Sequence, residues 1–255
     1  MNTYEKELQV AMMIAKEAGK TILEYFHIDD QQIEIKGDNS PVTIADKLVN
    51  ALVIKRLSES FPEDGVIGEE ESTTEYGMGR KWICDPIDGT AGYTQGTPTA
   101  MLSLALVVDG VPEIGVAYDP FLDNMYVGVK GKPSLCNGKE IHVSKKTLSE
   151  GTMSITGNVR NFLKSPSGKR LLETNTKLAC FSGLVLKACL IARGRLIGII
   201  EMGNAHDFAA VHIIIEGAGG KITSLEGKSL DYSKPFKGAI VSNGVVHDEL
   251  VSFCK

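Results

Sequence analysis

Asp85 and Asp88 close the apolar run Trp82-Ile83-Cys84 within W-I-C-D-P-I-D-G-T, residues 82–90, and Gly89 then turns the chain. A strand that delivers two carboxylates to one place invites a cation. Oxygen-only ligands suit Mg2+, which binds through a few carboxylates and keeps waters and phosphate oxygens in its other positions. Asp-Pro and Asp-Gly are also ordinary turn dipeptides, so these residues alone leave a plain turn open. Gly89 permits close backbone approach. The amides of Gly89, Thr90 and Ala91 then open the short segment Ala91–Gln95, a helix start whose unpaired donors and dipole favour phosphate. Asp88, Gly89, Thr90 and Ala91 are therefore the expected phosphate-binding residues. Thr90 suits two roles: a cap of that segment, or a hydroxyl that orients an attacking water.

Two further carboxylates stand at helix starts. Thr43 and Asp46, at i and i+3, form a capping-box-like pair ahead of the apolar positions Leu48, Leu52 and Leu57. Asp207 begins the apolar stretch Phe208, Val211 and Ile215, where an N-cap is its ordinary use. A carboxylate at a helix start that points into a cleft equally suits a metal.

Taken together, these blocks resemble the inositol monophosphatase family, which includes fructose-1,6-bisphosphatases and 3'(2'),5'-bisphosphate nucleotidases. The resemblance spans nearly the whole chain in order: S-P-V-T-I-A-D at 40–46, G-E-E at 68–70, W-I-C-D-P-I-D-G-T at 82–90, E-M-G-N-A-H-D-F-A-A at 201–210 and E-G-A-G-G at 216–220. It implies a layered αβαβα sandwich and Mg2+-dependent hydrolysis of phosphate monoesters. Two or three Mg2+ ions are implied, held by Glu70, Asp85, the Ile87 carbonyl, Asp88 and Asp207. The catalytic residues implied are Glu70, Thr90 and Asp46, with Asp46 contacting Thr90 and raising its capacity to activate water. In this scheme Glu70, Asp85 and Ile87 hold the ion that activates water, and Asp85, Asp88 and Asp207 hold the one that neutralises the leaving oxygen. No covalent intermediate is needed.

The substrate side is implied by Glu201, the family's substrate-contacting glutamate, and by His206, which stands where the family generally has Trp. His206 predicts a roomier, more polar pocket; as a metal ligand it is disfavoured beside an otherwise all-oxygen set. The expected substrate is inositol 1-phosphate or a related polyol or sugar phosphate. L-K-A-C-L-I-A-R-G at 186–194 also resembles the nucleotidase branch, although a core helix with a solvated Lys187 is the plainer expectation. Histidinol phosphate and fructose 1,6-bisphosphate stay open. A homodimer and lithium inhibition are family expectations. A non-enzymatic metal- or phosphate-binding regulator is the alternative of another class; Glu70, Asp85, Asp88, Thr90 and Asp207 all being present argues against it.

The elements that must position these groups follow from periodicity. Leu8, Met12, Ala15, Ile22 and Phe26 predict one helix, and Leu48 to Phe61 a second that Pro62 stops. From Val66 to Val143, short apolar runs separated by Asp109-Gly110, Asp119-Pro120 and Asn137-Gly138 predict a mostly antiparallel sheet. After Gly151 strands at Met153–Thr156, Lys177–Phe181, Leu196–Glu201, Lys221–Ser224 and Ala239–Ser242 alternate with helices at Ser167–Thr174, Leu184–Ala192, Phe208–Glu216 and from Val246. That alternation predicts an α+β to α/β layered fold, divided into an N-terminal half, 1–148, with the metal and phosphate loop, and a C-terminal half, 149–255, completing the site.

With 255 residues, 43% of them hydrophobic, the chain can bury a sizeable core. A formal charge of -5 lacks the basic footprint of a nucleic-acid binder. No apolar run is long enough to span a membrane and the N-terminus is charged, so a cytoplasmic protein acting on a small phosphate ester is expected. Cys84, Cys136, Cys180, Cys189 and Cys254 form no C-x-x-C pair and are expected to be buried or half-buried free thiols. His27, His142, His212 and His247 are expected to have no chemical role.

Overall fold

Ala11, Ile14, Ala15, Ala18 and Ile22 make a continuous buried stripe on helix α1 (Glu5–Phe26). They do so in a computed structural model that describes residues 4–28, 31–37, 39–155 and 159–255. A small antiparallel pair, β1 (Glu34–Ile35) and β2 (Pro41–Val42), leads into α2 (Ile44–Ser60). Seven strands follow as one sheet in chain order: β3 (Gly65–Gly68), β4 (Arg80–Asp88), β5 (Met101–Val108), β6 (Val111–Asp119), β7 (Asn124–Val129), β8 (Leu135–Cys136) and β9 (Lys139–Glu140). Helix α3 (Thr90–Thr94) interrupts it between β4 and β5. Within this sheet the β3–β4 pair alone is parallel, so the predicted antiparallel character holds. Asp109-Gly110 and Asn137-Gly138 take positive φ at both positions, as tight hairpin turns require.

The second sheet runs β11 (Lys177–Cys180), β10 (Thr152–Ile155), β12 (Gly198–Glu201), β14 (Ala239–Ser242), β13 (Lys221–Thr223) across its width. Helices α4 (Val159–Lys164), α5 (Pro166–Leu172), α6 (Leu184–Ala192), α7 (Ala205–Gly217) and α8 (His247–Phe253) connect or flank its strands. The expected strand Met153–Thr156 is β10, with Thr156 outside the described residues. Helix α4 and the β1–β2 pair were not legible, being too short for a periodic signal.

Strand alternation shows the layers. Trp82 and Cys84 pack with Ala11 and Val49 of the first two helices, whereas Ile83, between them, faces α6 and α7 with Val185 and Ala209. In the second sheet Ile199 and Val241 face those same central helices; Ile200 and Ile240 turn outward to Leu171 and Leu250. The order is helices, sheet, helices, sheet, helices, which is the αβαβα sandwich. Among the described residues no helix is long and apolar enough to cross a membrane.

None of the five cysteines, all among the described residues, is in a disulfide; Cys84, Cys136 and Cys189 are buried and Cys254 is half-buried, but Cys180 is exposed, contrary to expectation. His247 is fully buried between Thr223 and Ser242, and burial lowers its pKa to about 4, so it serves as a neutral hydrogen-bonding strut.

Candidate active site

In a regular strand, residues three apart point to opposite faces. Asp85 and Asp88 escape this because the β4–β5 register shifts between them, where Pro86 has no N–H for the ladder. Both carboxylates thus meet Asp207 from α7: each offers an oxygen, and the three oxygens lie within 4.8 Å of one another. Asp85 and Asp88 are 2% and 4% exposed. Backbone amides hold all three. Ile87 N–H donates to Asp85 Oδ1 at 3.1 Å, Leu184 and Val185 N–H to Asp88 Oδ1 and Oδ2 at 2.8 Å each, and Asn204 N–H to Asp207 Oδ2.

Burial pushes the Asp85 carboxyl well up, helped by Glu69 and Asp88. Asp88 and Asp207 rise to about 7, chiefly through burial. Asp207 Oδ2 lies 3.6 Å from His206 Nε2, but burial lowers the imidazole pKa and keeps that ring neutral. Buried, oxygen-only and short of compensating charge, the trio fits a hard divalent cation. Asp207 is not the N-cap expected: Asn204 holds that position and Asp207 stands three residues on, its carboxylate bound back to the Asn204 amide.

The acidic run after β3 forms the site's edge. Glu69 shares a hydrogen bond with Asp85. Glu70 is instead drawn to Lys36, whose Nζ lies 2.6 Å from Glu70 Oε1 and 2.8 Å from Glu69 Oε1. The G-E-E pattern singled out Glu70 and passed over both Glu69 and Lys36. Lys36 lies in a segment without periodicity, and nothing in the sequence marks it.

Thr90 begins α3, and the N-cap is Gly89 in a left-handed conformation, φ 92°, so Thr90 is not the cap of Ala91–Gln95. Its hydroxyl lies 3.1 Å from Asp46 Oδ1 and 2.9 Å from the Ile87 carbonyl oxygen. Asp46 makes both contacts expected of it: Oδ2 accepts the Thr43 amide at 2.8 Å and the Thr43 hydroxyl at 2.6 Å, and Oδ1 faces Thr90. One hydroxyl proton serves one acceptor at a time. Directed at Asp46, it leaves the Thr90 oxygen lone pairs free to accept from a water. The Thr90 and Ala91 amides are the opening donors of α3, which a helix cannot satisfy internally.

A cleft of about 650 Å³ borders this loop, walled by Ala91, Gly92, Ser182, Gly183, Lys187 and Glu201. Lys187 is not solvated as expected. It is 2% exposed and its ammonium is ion-paired with Glu201.

A family model described as "Inositol monophosphatase family" matches residues 3–253. The chain belongs to this family. Among curated relatives it is 34% identical to a histidinol-phosphatase of Chlorobaculum parvum, over 84% of each chain. It is 33% identical to inositol monophosphatase 1 of Solanum lycopersicum, over 89% of this chain and 87% of that one. Among solved structures, an IMPase from Thermotoga maritima superposes with a TM-score of 0.87 at 27% identity, covering 97% of this chain and 96% of that one. The chain is a phosphatase of the inositol monophosphatase family, a family of metal-dependent enzymes, and the non-enzymatic alternative is set aside. For a member of this family, the unforeseen feature is the cation in the pocket wall: a lone Lys inside the apolar run of α6 is normally solvated by snorkelling, and only burial against Glu201 distinguishes it.

Proposed function

We propose that this phosphatase is a Mg2+-dependent phosphomonoesterase that acts on polyol monophosphates, inositol 1-phosphate among them. The observation that carries this reading is the convergence of Asp85, Asp88 and Asp207 beside the opening amides of α3. Those three carboxylates, with Glu70 and the Ile87 carbonyl, would hold the ions; Glu69 stands close enough to Asp85 to assist. Bound divalent ions supply charge neutralisation at the phosphoryl group and acidify water.

The chain's own residues do the rest. The amides of Gly89, Thr90 and Ala91 orient the phosphoryl oxygens. Asp46 draws the Thr90 proton, so that the Thr90 oxygen accepts from the attacking water and fixes its direction, a positional advantage of the kind that lowers barriers without new bonds. Burial of Asp46, which raises its pKa, keeps bulk water from competing for that contact. Glu201 and His206 border the leaving group, where a carboxylate accepts from substrate hydroxyls.

A second reading, histidinol phosphate as substrate, is favoured by the similarity to the Chlorobaculum parvum enzyme. Phosphate release from inositol 1-phosphate, histidinol phosphate, fructose 1,6-bisphosphate and adenosine 3',5'-bisphosphate, with Mg2+ and with chelator, tests the choice. The polyol ester is expected to give the highest kcat/KM. A nucleotide hydrolysed about ten times better overturns that expectation.

A further inference from the structure

Lys187 lies one helical turn beyond Leu184, so the helix that holds Asp88 by its first amides also carries an ammonium into the cleft wall. Its charge is felt at Asp88. An ammonium has three donors and no acceptor, and among the described residues Glu201 is the one side chain that receives one of them. The Glu201 carboxylate uses Oε2 for that contact and has a second oxygen to offer. The wall therefore presents a charge-neutral pair with both a donor and an acceptor to spare. Neighbouring hydroxyls of a polyol both donate and accept, and they match it. A leaving group that carries its own ammonium meets the opposite situation: the carboxylate it needs is already occupied, and the occupant repels it in a poorly hydrated wall.

We infer that Lys187 is a specificity-determining residue, which by occupying Glu201 sets the pocket for uncharged polyol leaving groups and against amino-alcohol ones. The inference rests on the phosphomonoesterase reading above and narrows its substrate class.

The test reads the ratio of kcat/KM for histidinol phosphate, an amino-alcohol ester, to that for inositol 1-phosphate. In wild type the polyol ester should lead by about tenfold or more, and Lys187→Met should raise the ratio by about tenfold or more, through KM for histidinol phosphate. Lys187→Arg, which keeps the cation, should restore the wild-type preference. Because Lys187→Met strands a carboxylate in the wall and endangers folding, Glu201→Gln gives an independent reading. It keeps an acceptor for Lys187 but leaves the cation unopposed, and should lower the ratio about tenfold or more. Competition by the free alcohols, inositol against histidinol, should follow the same order. A ratio unmoved in both variants, or a wild-type preference for histidinol phosphate, overturns the role of Lys187. Wild-type protein that hydrolyses neither ester nor p-nitrophenyl phosphate overturns the phosphomonoesterase reading instead.

Discussion

Asp88 caps Leu184. The carboxylate that ends β4 accepts the first amide of α6 at 2.8 Å, and Val185 donates to its other oxygen at the same distance. A residue of the first sheet is thereby fixed by a helix that belongs to the connections of the second. The positive end of α6 offsets part of the Asp88 charge, while Asp88 retains lone pairs for a cation.

This contact leaves no room at Gly183, which precedes α6 with φ +83° and whose added Cβ would stand 2.8 Å from Asp88 Oδ2. Gly183→Ala is expected to cost about 1–3 kcal/mol from backbone strain alone. By tilting Asp88 it should also slow turnover about tenfold or more. Urea midpoints and phosphate release read the two effects separately; a midpoint equal to wild type would refute the close approach.

The raised carboxylates give the metal-free protein an unusual pH response. Between roughly pH 4 and 7 the folded chain retains protons on Asp88 and Asp207, each raised to about 7, that the unfolded chain has released. Stability in chelator should therefore fall as pH rises through this window, the cost being absent below the unfolded carboxylate range. Saturating Mg2+ should flatten the curve by mass action. Melting temperatures from pH 5 to 8, with chelator and with Mg2+, decide the matter; a chelated protein that becomes steadily more stable toward pH 8 counts against the cluster.

Asp85→Asn separates stability from function. An Asn at this position keeps an acceptor for the Ile87 amide and a permanent donor toward Glu69, and it removes the cost of holding a buried titratable carboxyl beside Glu69 and Asp88. At pH 8 in chelator the variant is expected to be more stable than wild type, on the order of 1 kcal/mol. It should lose most of the Mg2+ response in Tm and nearly all activity. A full Mg2+ shift in this variant would sink the ligand assignment.

Thr90→Ala should cut kcat about 100-fold or more, the usual size of a lost contribution to proton handling in the reaction. The stability change should stay within about 1.5 kcal/mol, because the hydroxyl makes only hydrogen bonds and caps no helix. Asp46→Asn, which leaves Thr90 an acceptor but weakens its pull, should fall between wild type and Thr90→Ala in rate. A Thr90→Ala enzyme with ordinary turnover would reduce the Thr90–Asp46 contact to scaffolding.

Periodicity and motif spacing determined a good deal by themselves. Stripes of apolar residues at helical spacing marked α1, α2 and α7, and Asp-Gly and Asn-Gly marked turns, because these signals are local and need no partner to be recognised. The D-P-I-D-G-T and H-D-F-A-A blocks pointed to Asp85, Asp88, Thr90 and Asp207 together through their joint resemblance to one family, where either block alone left a plain turn or a helix cap open. Three matters were decided only by the tertiary structure. Asp85 and Asp88 reach one cluster because a register shift at Pro86 cancels strand alternation, and register belongs to the pair of strands, β4 with β5. Lys36 reaches Glu69 and Glu70 across more than thirty residues of sequence, a distance over which neither side chain leaves a trace in the other's neighbourhood. Lys187 looks like a solvated interruption of an apolar helix until Glu201 arrives from β12 to neutralise it. Whether a charge is exposed or paired depends on what folds over it, and local pattern carries no term for that.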